Sequence, residues 1–296
     1  MRTVFFYAII KNMEVILADV LGYCMGVRRA VLAAEKALED NPDKKVYSLG
    51  PLIHNASVLK SLSEKGLCIL EENNIQNVEE NSVVVIRAHG VSPQVQARLS
   101  EKKCRIIDAT CPRVVGSQRN VRNYSRKGWA VFLAGDKNHG EVLGIQGFAE
   151  GDFYLVQNER EAEEICLSLP EKNAVLLSQT TFSPLEFEKI ASVLRKKYSN
   201  FLKVMNTICP ATRERQEALV KLCQQVSAIV VVGGKNSANT KRLLQTAEKY
   251  CENCILIEKA SEIPESFTAF DKVGVTAGAS TPDQDIQEVC KKLKSL

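Results

Sequence analysis

Three of the ten cysteines in this 296-residue chain sit in surroundings that could do chemistry. Cys111 and Cys209 each close a short polar turn after an apolar run, and each is followed by proline, in IIDATCPRVV and VMNTICPATRE. Cys24 reaches a comparable place through glycines, in LGYCMGVRRA. Proline after cysteine presets the first helical turn and makes the cysteine the N-cap. There the helix dipole and the free N–H groups favour a thiolate over a thiol. The spacings are 87 and 98 residues, each close to a third of the chain, so three related segments would bring one thiolate each to a shared centre. Zinc is one occupant of such a centre. An iron–sulfur cluster is the other, since its thiolates tolerate wide separation and are often followed by proline. A cubane on three cysteines leaves one iron open to a substrate oxygen.

The remaining unusual polar residues occupy strand-to-helix turns. They are His54, His89, His139, Thr180, Ser237, Asn239 and Ser280, and the first three are all the histidines of the chain. HGE, His139 to Glu141, sets a carboxylic acid beside an imidazole at a helix start. TT, SAN and GAST add hydroxyls, an amide and exposed N–H groups, which suit a phosphate or diphosphate. GGKNSAN lacks P-loop spacing and no GxGxxG follows a strand, so neither nucleotide hydrolysis nor a bound dinucleotide is indicated. A redox or Lewis-acid enzyme acting on a small anion follows. A zinc hydrolase and a non-catalytic phosphometabolite-binding protein are the rival readings at this point. Cys68, Cys166 and Cys223 read as small buried hydrophobes. The lone CxxC, Cys251 to Cys254, lies between a helix end and a strand start and has no second pair for a metal.

The elements that must position these residues alternate along the chain. Short apolar runs such as SVVVIRA, WAVFLAG, AVLLSQ and AIVVVGG give way to turns and then to helices, several opened by proline. This is the pattern of α/β modules with parallel sheets. Ligands then gather beyond the carboxyl ends of the strands. The spacing divides the chain into an N-terminal extension at 1–12 and modules at 13–111, 112–206 and 207–296. Net charge is +4 with no basic block, which does not point to nucleic acid. The apolar run VFFYAII is too short to span a bilayer. A cytoplasmic protein with no membrane association is expected.

GYCMGVRRA, LGPLIHN, RAHGVSP, DATCP, GDKNHGEVLG, SQTT, TICPATRERQEA, VGGKNSANT and GVTAGASTP occur in that order. Together they resemble the LytB family of hydroxymethylbutenyl diphosphate reductases, over nearly the whole chain. The resemblance implies three pseudo-symmetric α/β modules in a cloverleaf around a central iron–sulfur site. It implies one [4Fe–4S] cluster per chain on Cys24, Cys111 and Cys209, and electrons from an external donor such as ferredoxin or flavodoxin. By the same likeness His54, His89, His139, Ser237, Asn239 and Ser280 are diphosphate and substrate ligands. Glu141 and Thr180 form a relay to the substrate hydroxyl. The implied reaction is reductive dehydroxylation of 4-hydroxy-3-methylbut-2-enyl diphosphate to isopentenyl and dimethylallyl diphosphates, the last step of the non-mevalonate pathway. Ala238 departs from the pattern, where many relatives have a second serine, and predicts weaker or rearranged diphosphate contacts.

Overall fold

A computed structural model describes residues 13–296, so the extension expected at 1–12 lies outside the described residues. The chain runs β1 (Glu14–Leu17), α1 (Met25–Asp40), β2 (Val46–Leu49), α2 (Ala56–Glu64), β3 (Leu67–Leu70), β4 (Val83–Ile86), α3 (Pro93–Ser100) and β5 (Arg105–Asp108). It continues through α4 (Pro112–Arg126), β6 (Ala130–Ala134), α5 (Gly140–Gln146), β7 (Phe153–Val156), α6 (Glu159–Ser168), β8 (Ala174–Ser178), α7 (Pro184–Tyr198) and β9 (Leu202–Val204). The last third holds α8 (Pro210–Cys223), β10 (Ala228–Val232), α9 (Ala238–Ala247), β11 (Cys254–Ile257), β12 (Lys272–Ala277) and α10 (Asp283–Lys294). Among the described residues no helix is long and apolar enough to cross a membrane.

The strands form three parallel four-stranded sheets, ordered β3-β2-β4-β5, β7-β6-β8-β9 and β11-β10-β12-β1. The α/β class and the three sheets are as the sequence led us to expect. All three share one topology: the first strand of the set lies between the second and the third, and the fourth lies beyond the third. The third sheet is completed by permutation. The strand at 14–17, read from sequence as the opening of the first module, pairs instead with β12, in register Glu14↔Lys272 to Leu17↔Val275. It stands where β5 and β9 stand in the other two sheets.

Two compact units follow from this exchange, residues 13–23 with 214–296 and residues 24–213. In the larger unit the sheet around β6 and β8 is covered on both faces, which is why AVFLA and AVLLS are continuously apolar. Phe132 and Leu176 face Phe187, Ile190 and Leu194 of α7. Val131, Leu133, Val175 and Leu177 face Val114 and Val121 of α4 and Val142 and Ile145 of α5. In the smaller unit Val230, Val232 and Val275 face Ile286, Val289 and Leu293 of α10. On the opposite face Ile229 and Val231 meet Leu219 and Leu222 of α8 and Leu243 of α9.

The sequence pattern did not disclose β3, β7 and β9, three strands of three or four residues at sheet edges with partly exposed residues. The edge position also corrects the reading of Cys68, which is exposed on β3, whereas Cys166 and Cys223 are buried as expected.

Candidate functional site

The shared topology explains where the chemistry-bearing residues stand. In each sheet the strand order reverses between the first and third strands, the kind of switch point beside which ligands bind in parallel sheets. His54 follows β2 and His89 follows β4; His139 follows β6 and Thr180 follows β8; Ser237 follows β10 and Ser280 follows β12. The fourth strands β5, β9 and β1 lead into Cys111, Cys209 and Cys24. Each sheet therefore supplies one residue from its first strand, one from its third and one cysteine.

The repeated grammar of DATCP and NTICP is an Asx turn. Asp108 Oδ1 accepts the N–H of Thr110 at 2.9 Å, and Asn206 Oδ1 accepts that of Ile208 at 3.1 Å. Each turn reverses the chain so that the next residue is a cysteine at a helix start. The cysteine N–H is then tied to the neighbouring loop. Cys111 N donates to Ala88 O at 3.0 Å, beside His89, and Cys209 N donates to Thr180 O at 2.8 Å. Cys24 caps α1, its Sγ accepting the N–H of Val27 at 3.4 Å.

Gly26, in the first turn of α1, leaves room for the sulfurs. A Cβ there would lie 2.9 Å from Cys111 Sγ and 4.0 Å from Cys24 Sγ. Burial pushes the Cys111 thiol up, and the nearby Cys24 and Cys209 add to the shift against the backbone N–H groups of Arg113 and Val114. Helix starts alone thus do not make Cys111 a thiolate, contrary to the expectation from its N-cap position. A bound cation would reverse that balance. A thiol at Cys111 that feels both Cys24 and Cys209, with a glycine cradle beside it, fits a metal or iron–sulfur centre.

The three histidines come together. Their ring centroids are 5.1 Å (His54–His89), 5.1 Å (His89–His139) and 6.1 Å (His54–His139) apart. Their ligand atoms lie within 4.8 Å of one another, a spacing that would suit either a metal or an anion. Two observations favour the anion. His139 Nδ1 accepts the N–H of Glu141 at 3.2 Å, so the ring carries its proton on Nε2 and presents a donor there, not a lone pair. Burial also holds His54 and His89 below the usual imidazole range, with the Arg87 guanidinium adding to both shifts and the other two rings adding to that of His89. A fixed cation beside neutral imidazoles repels a metal ion and attracts a phosphate. Sequence reasoning did not single out Arg87; its signal is an arginine directly after a buried strand and two residues before a site histidine.

Glu141 and Thr180 form a closed pair. Glu141 is 1% exposed. The Thr180 N–H donates to its Oε1 at 2.6 Å, and the Thr180 hydroxyl pairs with its Oε2 at 2.7 Å. Burial pushes the Glu141 carboxyl up to about 7; the two Thr180 groups oppose that rise and the charge of Asp136 adds to it. When ionised, the carboxylate accepts from the Thr180 hydroxyl. When protonated, it can donate to the Thr180 oxygen, which turns the threonine O–H outward as a donor.

In the smaller unit Ser237 caps α9, its Oγ accepting from Thr240 N at 3.3 Å, which leaves its own O–H to donate. Among the described residues the buried Asn239 Nδ2 has no hydrogen-bond partner, so its donors are unspent there. The loop carrying Ser280 abuts the start of α9, because the Thr240 hydroxyl fills the space a Cβ on Gly278 would take. Ala238 is the first residue of α9 and brings no side-chain donor.

The CxxC does not join this chemistry. Burial, with Cys251 close by, pushes the Cys254 thiol up to about 12, and Cys223 rises to about 11 for the same two reasons. Such thiols stay protonated and are poor nucleophiles and ligands. The double variant Cys251→Ser, Cys254→Ser is expected to keep full iron content and turnover. Loss of iron from that variant would show that the ligands had been chosen wrongly.

Comparison with known proteins agrees with this geometry. A family model described as LytB protein matches residues 15–294. The 4-hydroxy-3-methylbut-2-enyl diphosphate reductase of Treponema denticola is 50% identical over 283 residues, covering 93% of this chain and 97% of the relative. That of Caldanaerobacter subterraneus subsp. tengcongensis is 42% identical over 285 residues, covering 96% and 98%. The solved E-1-hydroxy-2-methyl-but-2-enyl-4-diphosphate reductase from Plasmodium falciparum aligns with a TM-score of 0.88 at 28% identity, over 95% of this chain and 87% of its own. A second solved structure, (E)-4-hydroxy-3-methyl-but-2-enyl diphosphate reductase, the terminal enzyme of the non-mevalonate pathway, gives 0.72 at 35% identity, over 96% and 100%.

Proposed function

Because the chain belongs to the LytB protein family, we propose that Cys24, Cys111 and Cys209 hold an iron–sulfur centre at which the substrate of its relatives is reduced. The activity is that of a 4-hydroxy-3-methylbut-2-enyl diphosphate reductase. The substrate loses its hydroxyl as water and gains one hydrogen, consuming two electrons and two protons. Isopentenyl and dimethylallyl diphosphates are the two products, according to which end of the allylic system takes the second proton. The observation that carries the assignment of the centre is the cradle at Gly26, with Cys24 and Cys111 facing it and Cys209 close enough to act on Cys111.

A [4Fe–4S] cluster on three cysteines would supply electrons one at a time and an open, Lewis-acidic iron toward the substrate oxygen. The rest of the work falls to the protein. His54, His89 and His139 offer N–H donors to the anionic substrate. Ser237, Asn239 and Ser280 offer two hydroxyls and an amide to diphosphate oxygens, with the N-terminal N–H groups of α9 standing in where Ala238 has no hydroxyl. Glu141 holds a proton near neutral pH because it is buried. Passing that proton through the Thr180 hydroxyl to the departing oxygen makes water the leaving group. Electrons are proposed to come from a small external carrier such as a ferredoxin or flavodoxin, in the cytoplasm.

The test is anaerobic turnover of 4-hydroxy-3-methylbut-2-enyl diphosphate by the iron-loaded protein with a chemical reductant. Both five-carbon diphosphates are expected in the product. Iron-loaded, folded protein that consumes no substrate would overturn the reading.

A further inference from the structure

Arg87 stands beside the turns that carry all three histidines. Its guanidinium reaches across two loops at once. Nη1 fills the place a Cβ on Gly50 would take, in the turn that leads to His54, and Gly50 has a φ of +70° that suits glycine. Nη2 lies 2.8 Å from where a Cβ on Gly140 would be, between His139 and Glu141. Arg87 itself stands two residues before His89. The side chain is only 14% exposed, and among the described residues its Nε is buried without a hydrogen-bond partner and its ion pair is with the half-exposed Glu72 at 3.3 Å.

We propose that Arg87 is a specificity-determining and positioning residue, a fixed cation behind the three histidines that fits this site to a diphosphate anion. The inference rests on the reading of those histidines as diphosphate donors. Guanidinium is the suitable cation here because it stays charged when buried and its planar fork can lie flat between two glycines. The carboxylate of Glu72 balances only one edge of it. A diphosphate arriving at the imidazoles therefore meets uncompensated positive charge. The depressed His54 and His89 ionisation agrees, since both rings feel Arg87.

The test uses the iron-loaded protein under anaerobic conditions, titrated calorimetrically with inorganic diphosphate and assayed with substrate. Arg87→Gln is expected to weaken diphosphate binding roughly tenfold and to raise KM far more than it changes kcat. Arg87→Lys, which keeps the charge, is expected to recover most of the affinity. Glu72→Gln removes the balancing carboxylate and is expected to tighten binding about twofold to fivefold, a gain that a merely structural ion pair would not produce. Should Arg87→Gln fail to fold, the Glu72→Gln titration decides alone, and unchanged or weaker binding overturns the inference. It is also overturned if Arg87→Gln binds like the unaltered protein while His54→Ala is weakened, or if Arg87→Lys is as impaired as Arg87→Gln. If neither His54→Ala nor Arg87→Gln alters diphosphate affinity, the histidine reading itself falls.

Discussion

Glu141→Gln is expected to leave iron and sulfide content intact while lowering turnover by roughly 10²–10⁴-fold, the usual worth of a positioned general acid. The amide keeps the size of the carboxyl and can still accept the Thr180 N–H, so the loop geometry survives. What it loses is a transferable proton. The pH dependence carries a second signature. Burial raises the Glu141 carboxyl from its ordinary 4.5 to about 7, so the acid form prevails below about 7 and is lost above it. Turnover is expected to fall about tenfold per pH unit on that alkaline side, and the Gln variant is expected to lack this limb. The same shift has a stability consequence. The raised carboxyl contributes stability that is fully present below 4.5 and is lost as pH rises through about 7. Unchanged turnover in Glu141→Gln would remove the residue from the mechanism.

Cys111→Ser is expected to cost nearly all bound iron, the visible colour and the turnover, with far-ultraviolet dichroism preserved. The fold should tolerate the change because Cys111 is anchored by its backbone, through the N–H to Ala88 O at 3.0 Å and the proline-opened helix that follows. A serine hydroxyl does not replace a thiolate as a soft iron ligand. Gly26→Ala probes the same centre without touching a ligand. Its new Cβ would stand 2.9 Å from Cys111 Sγ, closer than such contacts allow, so the sulfur must move and iron retention should drop. Full iron in Cys111→Ser would contradict the ligand assignment. Full iron in Gly26→Ala would show that the cradle is not needed.

Much of this architecture was legible in the residues because local chemistry and tertiary position coincide. DATCP and NTICP read as a short polar turn, a cysteine and a proline-started helix, all within five residues, and the structure has the turn and the helix start at both places. The histidines were legible as a group because all three fall in strand-to-helix turns. Longer-range features left weaker traces. Nothing local to EVIL says that it pairs with KVGVTA some 258 residues later, so the permutation of β1 into the third sheet was missed. The edge strand LCIL reads like a buried one, and only its place at the margin exposes Cys68. Arg87 and Gly26 matter through the space between loops far apart in sequence, which no spacing rule reports.

The most direct test is to purify the protein without oxygen and measure iron, acid-labile sulfide and the visible spectrum, before and after adding 4-hydroxy-3-methylbut-2-enyl diphosphate. The account predicts about four irons and four sulfides per chain and a spectrum that shifts on addition of the diphosphate. Zinc in their place, or no metal after anaerobic reconstitution with iron and sulfide, would contradict it.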